Sequence, residues 1–386
     1  MTAAPSSTTT DWRQEWFEFE EATYLNTAAQ SAMPKVAVRA ALAAMEWKKF
    51  PQRMPDSAYE EIPTRVRASL ARLIAAHPDE IALTTGASTG MAAVAYGLDW
   101  KPGDEILTGK SEFPAQFSTW KPLEAREGVK LSIVAPRERF LTADDFIAAL
   151  TPKTRLISAS LVRFDDGSLL DSARLAAACH AQGALLLLDA SQCCGAIPMD
   201  VAQLGADFIA SAGYKWLLGP YGTGFFWIKR ALIETLRPGP FYWQALPGAH
   251  QHGSLTFDNP KPVPGASRWD SAETGNYLNL CALDASLEFL LRAGVETVAA
   301  HNARLISMMI ERLPRDRCIA ASPLDPARRG PYACFTARTP EKTAALHQRL
   351  IQQNVFVSLR EGNVRVSPHL FNTERDIDRL ITIATA

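Results

Sequence analysis

A chain of 386 residues is long enough for two domains or one large one, because single cores rarely grow past about 250 to 300 residues. Its 47% hydrophobic and 21% charged residues and its net charge of -1 are those of an ordinary globular protein, with no basic excess to neutralise the phosphates of nucleic acid or an anionic membrane. The six cysteines (Cys179, Cys193, Cys194, Cys281, Cys318 and Cys334) form no CxxC pair and no zinc-like spacing, which fits a reducing cytoplasm.

The N-terminus, "MTAAPSSTTTDW", is polar and lacks an apolar core, so it reads as neither a signal peptide nor a transmembrane segment. Its first ten or so residues are expected to be disordered, and no run approaches the length needed to span a bilayer. From there the chain alternates short apolar runs with segments of helical spacing such as "LLDSARLAAACHAQG". The runs "EIALTTG", "DEILTGK", "VKLSIVAP", "TRLISASLV", "GALLLLDAS" and "ADFIASAG" read as buried strands. This predicts an α/β fold with a mostly parallel sheet, helices on its faces and ligands at the carboxyl ends of its strands.

From about residue 238 to 268 the composition turns to proline, glycine and aromatics, which predicts a long loop of functional or interfacial use. "NLCALDASLEFLLRAGVETVAAHNARLISMMIERL" then reads as one or two long helices. The strands "YACFTAR", "VFVSL" and "NVRVS" and the closing amphipathic helix "TERDIDRLITIAT" predict a smaller α+β domain over the last hundred residues.

Four strand-end features point to one chemistry. "LLLLDASQCCG" ends an apolar strand in Asp189, with Gln192 following; a carboxylate there needs a cationic or hydrogen-bonding partner, or else it caps the next turn. "TTGASTGMAAVAYGL" leads a strand into Gly86, Ala87, Ser88, Thr89 and a helix of small residues, where free N–H groups and hydroxyls make a phosphate cradle or an ordinary N-cap. In "SAGYKWLLGPYGTG", Lys215 sits among small residues and aromatics, costly company for a charged amine. In "NVRVSPHLFNT", Arg365 lies on a strand whose alternation turns Val364 and Val366 into the core and Arg365 the other way; its fork suits a carboxylate or a structural ion pair. Pyridoxal 5'-phosphate (PLP) uses all four: an amine for a Schiff base, an acid for its ring nitrogen, a phosphate cradle and an anchor for the carboxylate of an amino-acid substrate.

On these residues the sequence resembles the class V aminotransferase family of fold-type I PLP enzymes, which includes cysteine desulfurases, isopenicillin N epimerase-like proteins and kynureninase. The likeness runs in order through "YLNTAAQSAMP", "TTGAST", "DASQCCGAIPMDVAQLGADFIASAGYKWLLGPYGTGFFWI", "ETGN" and "VRVSPHLFNTERDIDRL". It implies a seven-stranded, mostly parallel sheet sandwiched by helices, with a smaller α+β C-terminal domain. The expected organisation is an N-terminal segment, 1–22, packing with the small domain, a large PLP-binding domain, 23–280, and the small domain, 281–386.

The resemblance further implies that Lys215 is the Schiff-base lysine, that Asp189 pairs with the pyridine nitrogen and that Gln192 bonds the ring's phenolic oxygen. Ala87 and Ser88 would bind the phosphate, Phe113 would stack on the ring, Arg365 would hold the substrate carboxylate, and Thr274 would reach the phosphate of a neighbouring subunit in a homodimer. Where desulfurases carry a serine and a histidine before the lysine, this chain has Ala212 and Tyr214, so the phosphate contact falls to Ser211 or Tyr214. Desulfurases also keep a mobile cysteine just ahead of the arginine motif, and "VSLREGNVRVSP" has none. The pair Cys193–Cys194 reads as small core residues, and "LVRFDDGSLLD" looks closer to the epimerase-like branch.

Aminotransfer on a small amino acid is the reading this favours, with β-lyase, epimerase-like or desulfurase-like activity as alternatives, and a PLP-binding protein without turnover as a further one. A nucleotide-binding oxidoreductase lacks its G-x-G-x-x-G after a strand; "GPYGTG" follows the lysine and reads as a tight turn before the strand "FFWIK". His250-Gln251-His252 reads as two solvated loop histidines rather than a metal site.

Overall fold

The computed structural model describes residues 11–237, 239, 242–247, 249, 262–274 and 276–386. The first ten residues and the His250-Gln251-His252 motif, about which the sequence raised expectations, lie outside the described residues.

The chain begins with β1 (Thr23–Tyr24) and two helices, α1 (Lys35–Lys49) and α2 (Ala58–Ile74). There follow β2 (Ile81–Thr84), α3 (Ala87–Gly97), β3 (Glu105–Gly109), α4 (Pro114–Ser118), α5 (Lys121–Glu127) and β4 (Lys130–Val134). Next come α6 (Ala143–Ala149), β5 (Thr154–Ser160), α7 (Ser172–Ala181), β6 (Leu185–Asp189), α8 (Val201–Leu204), β7 (Phe208–Ala212) and β8 (Gly224–Ile228). Helices α9 (Tyr277–Ala293) and α10 (Val295–Arg312) lead to β9 (Cys318–Ala320), β10 (Ala333–Ala337) and α11 (Pro340–Gln352). The chain closes with β11 (Val355–Phe356), β12 (Ser358–Arg360), β13 (Asn363–Val366) and α12 (Glu374–Thr385).

Seven strands form the main sheet in the order β2-β8-β7-β6-β5-β3-β4, as the class V resemblance implies. The pairs β3/β4, β3/β5, β5/β6 and β6/β7 are parallel, while β8 runs antiparallel to both its neighbours. The two-residue period of a strand explains why "LLLLD" has no polar face: Leu186 and Leu188 enter the core on one side of the sheet, and Leu187 enters the core on the other. Asp189 is the residue at which that strand ends.

The last hundred residues carry a four-stranded antiparallel sheet, β12-β13-β10-β9, covered by a separate core that includes Leu305, Met309, Phe335, Leu350, Val364, Val366 and Ile377. The closing helix starts at a capping box formed by Thr373 and Asp376. The N-terminal stretch also reaches this part of the molecule, since β1 pairs in parallel with β11, and Trp16 is buried against the rings of Phe289, His369 and Phe371. Residue 280, the expected domain division, falls inside α9, which packs against α1 and α2.

Helices α1 and α2 had no counterpart in the sequence reading. In α2 the apolar positions Ile62, Val66, Leu70, Leu73 and Ile74 make a regular stripe. In α1 only Ala37 and Ala44 are buried, which blunts its pattern, and Leu42 and Met45 are left 65% and 50% exposed. The proline-rich stretch after residue 238 holds short 3-10 turns at Trp243–Ala245 and Ala266–Trp269 where it is described. No described helix is long and apolar enough to cross a membrane.

Candidate active site

The lysine segment is a loop that closes on itself between β7 and β8. The Gly213 N–H donates to the Thr223 carbonyl at 2.7 Å, the Gly219 N–H donates to the Gly213 carbonyl at 2.9 Å, and the Thr223 hydroxyl donates to the Pro220 carbonyl at 2.7 Å. A side chain at Gly213 would collide with the Thr223 hydroxyl, and one at Gly224 would lie 2.7 Å from the Gly86 Cα. The glycines are therefore required by close approach, and they bring the start of α3 against the lysine-bearing strands.

Lys215 is 6% exposed. Its Nζ lies 5.3 Å from the centre of the Phe113 ring and 5.6 Å from that of Tyr214. Burial lowers the amine's pKa to about 8; the Asp189 carboxylate pulls the other way, and the Arg365 and Arg360 charges push it further down. A buried lysine so poised is a usable nucleophile and base near neutral pH.

Asp189, buried at the end of β6, accepts the Ser191 N–H at its Oδ1 (2.8 Å), while its Oδ2 accepts no hydrogen bond from the described residues. Gln192 donates from Nε2 to the Ala28 carbonyl at 3.1 Å and accepts from the Trp216 indole at 3.3 Å, which leaves one amide hydrogen uncommitted. Ala87 is the first residue of α3, and Ser88, one position on, is exposed, so the helix N-terminus offers N–H groups and a hydroxyl at the sheet's edge. Cys193 and Cys194 are buried in the core, as their composition suggested.

Arg365 is 1% exposed on β13, with Val364 and Val366 in the small-domain core on the opposite face as expected. Its Nη1 donates to the Phe164 carbonyl at 3.0 Å and its guanidinium lies over the Tyr332 ring at 5.5 Å. Its buried Nε has no partner, and among the described residues no carboxylate lies within 4.0 Å of it, so the ion-pair alternative for this arginine finds no acid. Phe164 in turn meets Phe113 edge-on at 5.5 Å, which links Arg365, Phe164, Phe113 and Lys215 into one wall.

The sequence reading missed what fixes that wall. Arg163 is buried and donates from Nη2 to Asp165 at 2.9 Å and to the carbonyls of Lys110 and Ser111 at 3.0 Å, with Glu112 lying 3.5 Å from Nη1. Glu112 accepts both the N–H and the hydroxyl of Ser160, and burial pushes its carboxyl above the usual range despite Arg163, with Asp189 adding to the rise. The same loop is tied to the small domain by Tyr332 to the Arg163 carbonyl (2.5 Å) and by Asn363 to the Asp165 carbonyl (3.0 Å). The signal was present in "SEF" and "VRFDDG", where charged residues flank the two phenylalanines.

Ser211, Tyr214 and Thr274 were also expected to touch the phosphate, Thr274 that of a neighbouring subunit. The Ser211 hydroxyl is buried and turned to the Ala212 carbonyl at 3.3 Å, whereas Tyr214 is half-buried beside Lys215 and packs on Tyr221 at 4.3 Å. Burial raises the Tyr214 phenol to about 12, so it remains a neutral donor. Thr274 shares none of the contacts around Lys215; its hydroxyl bonds the Ser271 carbonyl, and it borders a recess with Tyr59 and Tyr242.

Comparison with known proteins agrees with this geometry. The family model for aminotransferase class V matches residues 23–380. The chain is 27% identical over 375 residues to the isopenicillin N epimerase of Streptomyces clavuligerus, covering 92% of each chain. It is 26% identical over 398 residues to a probable cysteine desulfurase of Methanothermobacter thermautotrophicus, covering 96% of each. Among solved structures, a C-DES mutant with glycine covalently linked to its PLP cofactor superposes with a TM-score of 0.86 at 23% identity, over 96% of this chain and 98% of that one. PLP is the cofactor of the class V family, and the residues here fit it: a buried amine of lowered pKa, a strand-end carboxylate with a free oxygen, and an open helix N-terminus beside them. The chain belongs to the aminotransferase class V family and carries its PLP fold, type I.

Proposed function

We propose that the protein acts at the α-carbon of an α-amino acid, with Lys215 as the cofactor lysine and proton carrier, Arg365 as the carboxylate anchor, and transamination as the reaction. The observation that carries this is the buried Arg365 fork, which has an unpartnered Nε and no acid beside it, a costly arrangement unless a carboxylate arrives. Bound PLP supplies a sink for the electron pair left at the α-carbon. Lys215 Nζ would take the α-proton and deliver it away from the α-carbon, as transamination requires, and Asp189 would keep the ring nitrogen protonated. Gln192 would donate to the phenolic oxygen, Phe113 would serve the ring face, and Ala87, Ser88 and Tyr214 would hold the phosphate.

Against a persulfide-forming cysteine stand the lack of a cysteine in "VSLREGNVRVSP", ahead of the arginine motif, and the burial that raises all six thiols above their ordinary pKa. A second reading, inversion at the α-carbon, is favoured by the likeness to isopenicillin N epimerase. Incubating holoenzyme with a panel of amino acids separates them: stoichiometric keto acid supports transamination, a racemised substrate supports inversion, and ammonia or sulfide overturns both.

Asp189→Asn is expected to keep PLP bound but to lower kcat far more than it raises KM, since an amide cannot hold the ring nitrogen cationic. Near-normal turnover contradicts the role given to Asp189.

The assembly we infer is a closed homodimer working in the cytoplasm, with Thr274 facing the partner's site. Leu42 and Met45 on α1 and Tyr59 on α2, the last beside the Thr274 recess, are the kind of exposed apolar surface a subunit interface covers. Sedimentation is expected to give a dimer, and a fully active monomer contradicts it.

A further inference from the structure

The hairpin of β12 and β13 pairs Ser358 with Arg365 and Arg360 with Asn363. Directly paired residues share a face, as do residues two apart on one strand, so Ser358, Arg360, Asn363 and Arg365 all project from the same side. That side meets the loop after β1 and the loop after β5. Ser358 bonds Asn26 at 2.6 Å, Asn363 bonds the Asp165 carbonyl at 3.0 Å and Arg365 bonds the Phe164 carbonyl at 3.0 Å.

Arg360 is the fourth member and has no such tie. It is exposed, and among the described residues its side chain makes one hydrogen bond, a 3.4 Å contact with the Leu359 carbonyl, and no carboxylate lies within 4.0 Å of it. Its charge nonetheless reaches the site, because it helps to lower the pKa of both Lys215 and Arg365. A rise of about 3.3 Å per residue and a strand spacing of about 5 Å put the Arg360 and Arg365 Cα atoms roughly 8 Å apart. With one guanidinium buried and the other exposed on the same face of the hairpin, the pair suits a molecule with an acid at each end.

We propose that Arg360 is a second anion anchor, so that the substrate is an α-amino acid whose side chain ends in a carboxylate, with its α-carboxylate on Arg365 and its distal carboxylate on Arg360. This rests on the reading of Arg365 as the first anchor. The exposed rim position makes Arg360 a specificity residue, gaining mostly from charge-assisted hydrogen bonds and weakening with salt.

The test is an equilibrium titration of holoenzyme, followed by the change in cofactor absorbance, with glutamate against glutamine and aspartate against asparagine. At least one acid is expected to bind about ten-fold or more tightly than its amide, and Arg360→Gln is expected to bring that ratio close to one. Neutral amino acids binding as tightly as acidic ones, or an Arg360→Gln variant that keeps the ratio, overturns the proposal while leaving Arg365 as the α-carboxylate anchor. Cysteate or O-phosphoserine binding more tightly than both dicarboxylic acids overturns the carboxylate assignment. If no amino acid of any kind perturbs the absorbance, the anchor reading of Arg365 fails first and this one with it.

Discussion

Lys215→Ala is expected to abolish the visible absorbance of lysine-bound PLP and to reduce turnover by at least about a hundred-fold, since a positioned acid-base group contributes on the order of 10² to 10⁴. The magnitude follows from the isolation of the site. Lys215 is buried between Phe113 and Tyr214, and the charges that act on it are those of Asp189, Arg365 and Arg360, none of them an amine. Among the described residues no second amine acts on this site, so none is placed to replace it. The cavity left by removing the side chain opens next to the phenylalanine wall rather than in the leucine core of β6, so the variant is expected to fold and still to bind PLP without a covalent bond. A variant that keeps the absorbance and most of its turnover contradicts the assignment.

Arg365→Ala is expected to weaken amino-acid substrates by roughly 30-fold or more while leaving the lysine-bound absorbance intact. Losing one partner of a desolvated charge-assisted pair typically costs about 2 to 5 kcal/mol, and each factor of ten is about 1.4 kcal/mol. Arg365→Lys is expected to recover only part of the loss, because an ammonium cannot form two parallel hydrogen bonds. The loss should appear for substrates with an α-carboxylate and not for the corresponding amines. A variant that binds both kinds of molecule as the wild type does makes Arg365 a structural residue that holds the Phe164 carbonyl.

What was legible in the sequence follows from how local each signal is. The inner strands of the main sheet announced themselves because both faces are buried, as in "LLLLD"; "VKLSIVAP", also read as buried, is the edge strand β4 and leaves Lys130 and Ile133 exposed, while the alternation of "NVRVS" correctly separated Val364 and Val366 from Arg365. The turn after Lys215 was legible because close backbone approach demands glycine, and Gly213 and Gly224 show that demand. Helix α1 was not legible, because Ala37 and Ala44 are its only fully buried residues while Leu42 and Met45 stay exposed, so the 3.6-residue pattern carries no stripe of large buried side chains.

The network of Glu112, Arg163 and Asp165 was hidden for a different reason. Glu112 lies 51 residues before Arg163, and it meets Arg163 and Asp165 only because β3 and β5 are neighbours in the sheet. A charge in a strand-end loop looks solvated in sequence, and only the fold reveals that Arg163 is closed in by the small domain through Tyr332 and Asn363. Arg360 escaped notice in the same way, since register, rather than spacing along the chain, puts it on the face of Arg365.

The claim beneath all of these assignments is that Lys215 carries the cofactor, and borohydride reduction of the holoenzyme followed by peptide mass spectrometry tests it directly. Reduction converts the linkage between PLP and its lysine into a stable amine that survives digestion. The account predicts the added phosphopyridoxyl mass on the peptide containing Lys215 and on no other. The same mass on a peptide with a different lysine, or no modified peptide from a protein that shows the absorbance of bound PLP, would contradict it.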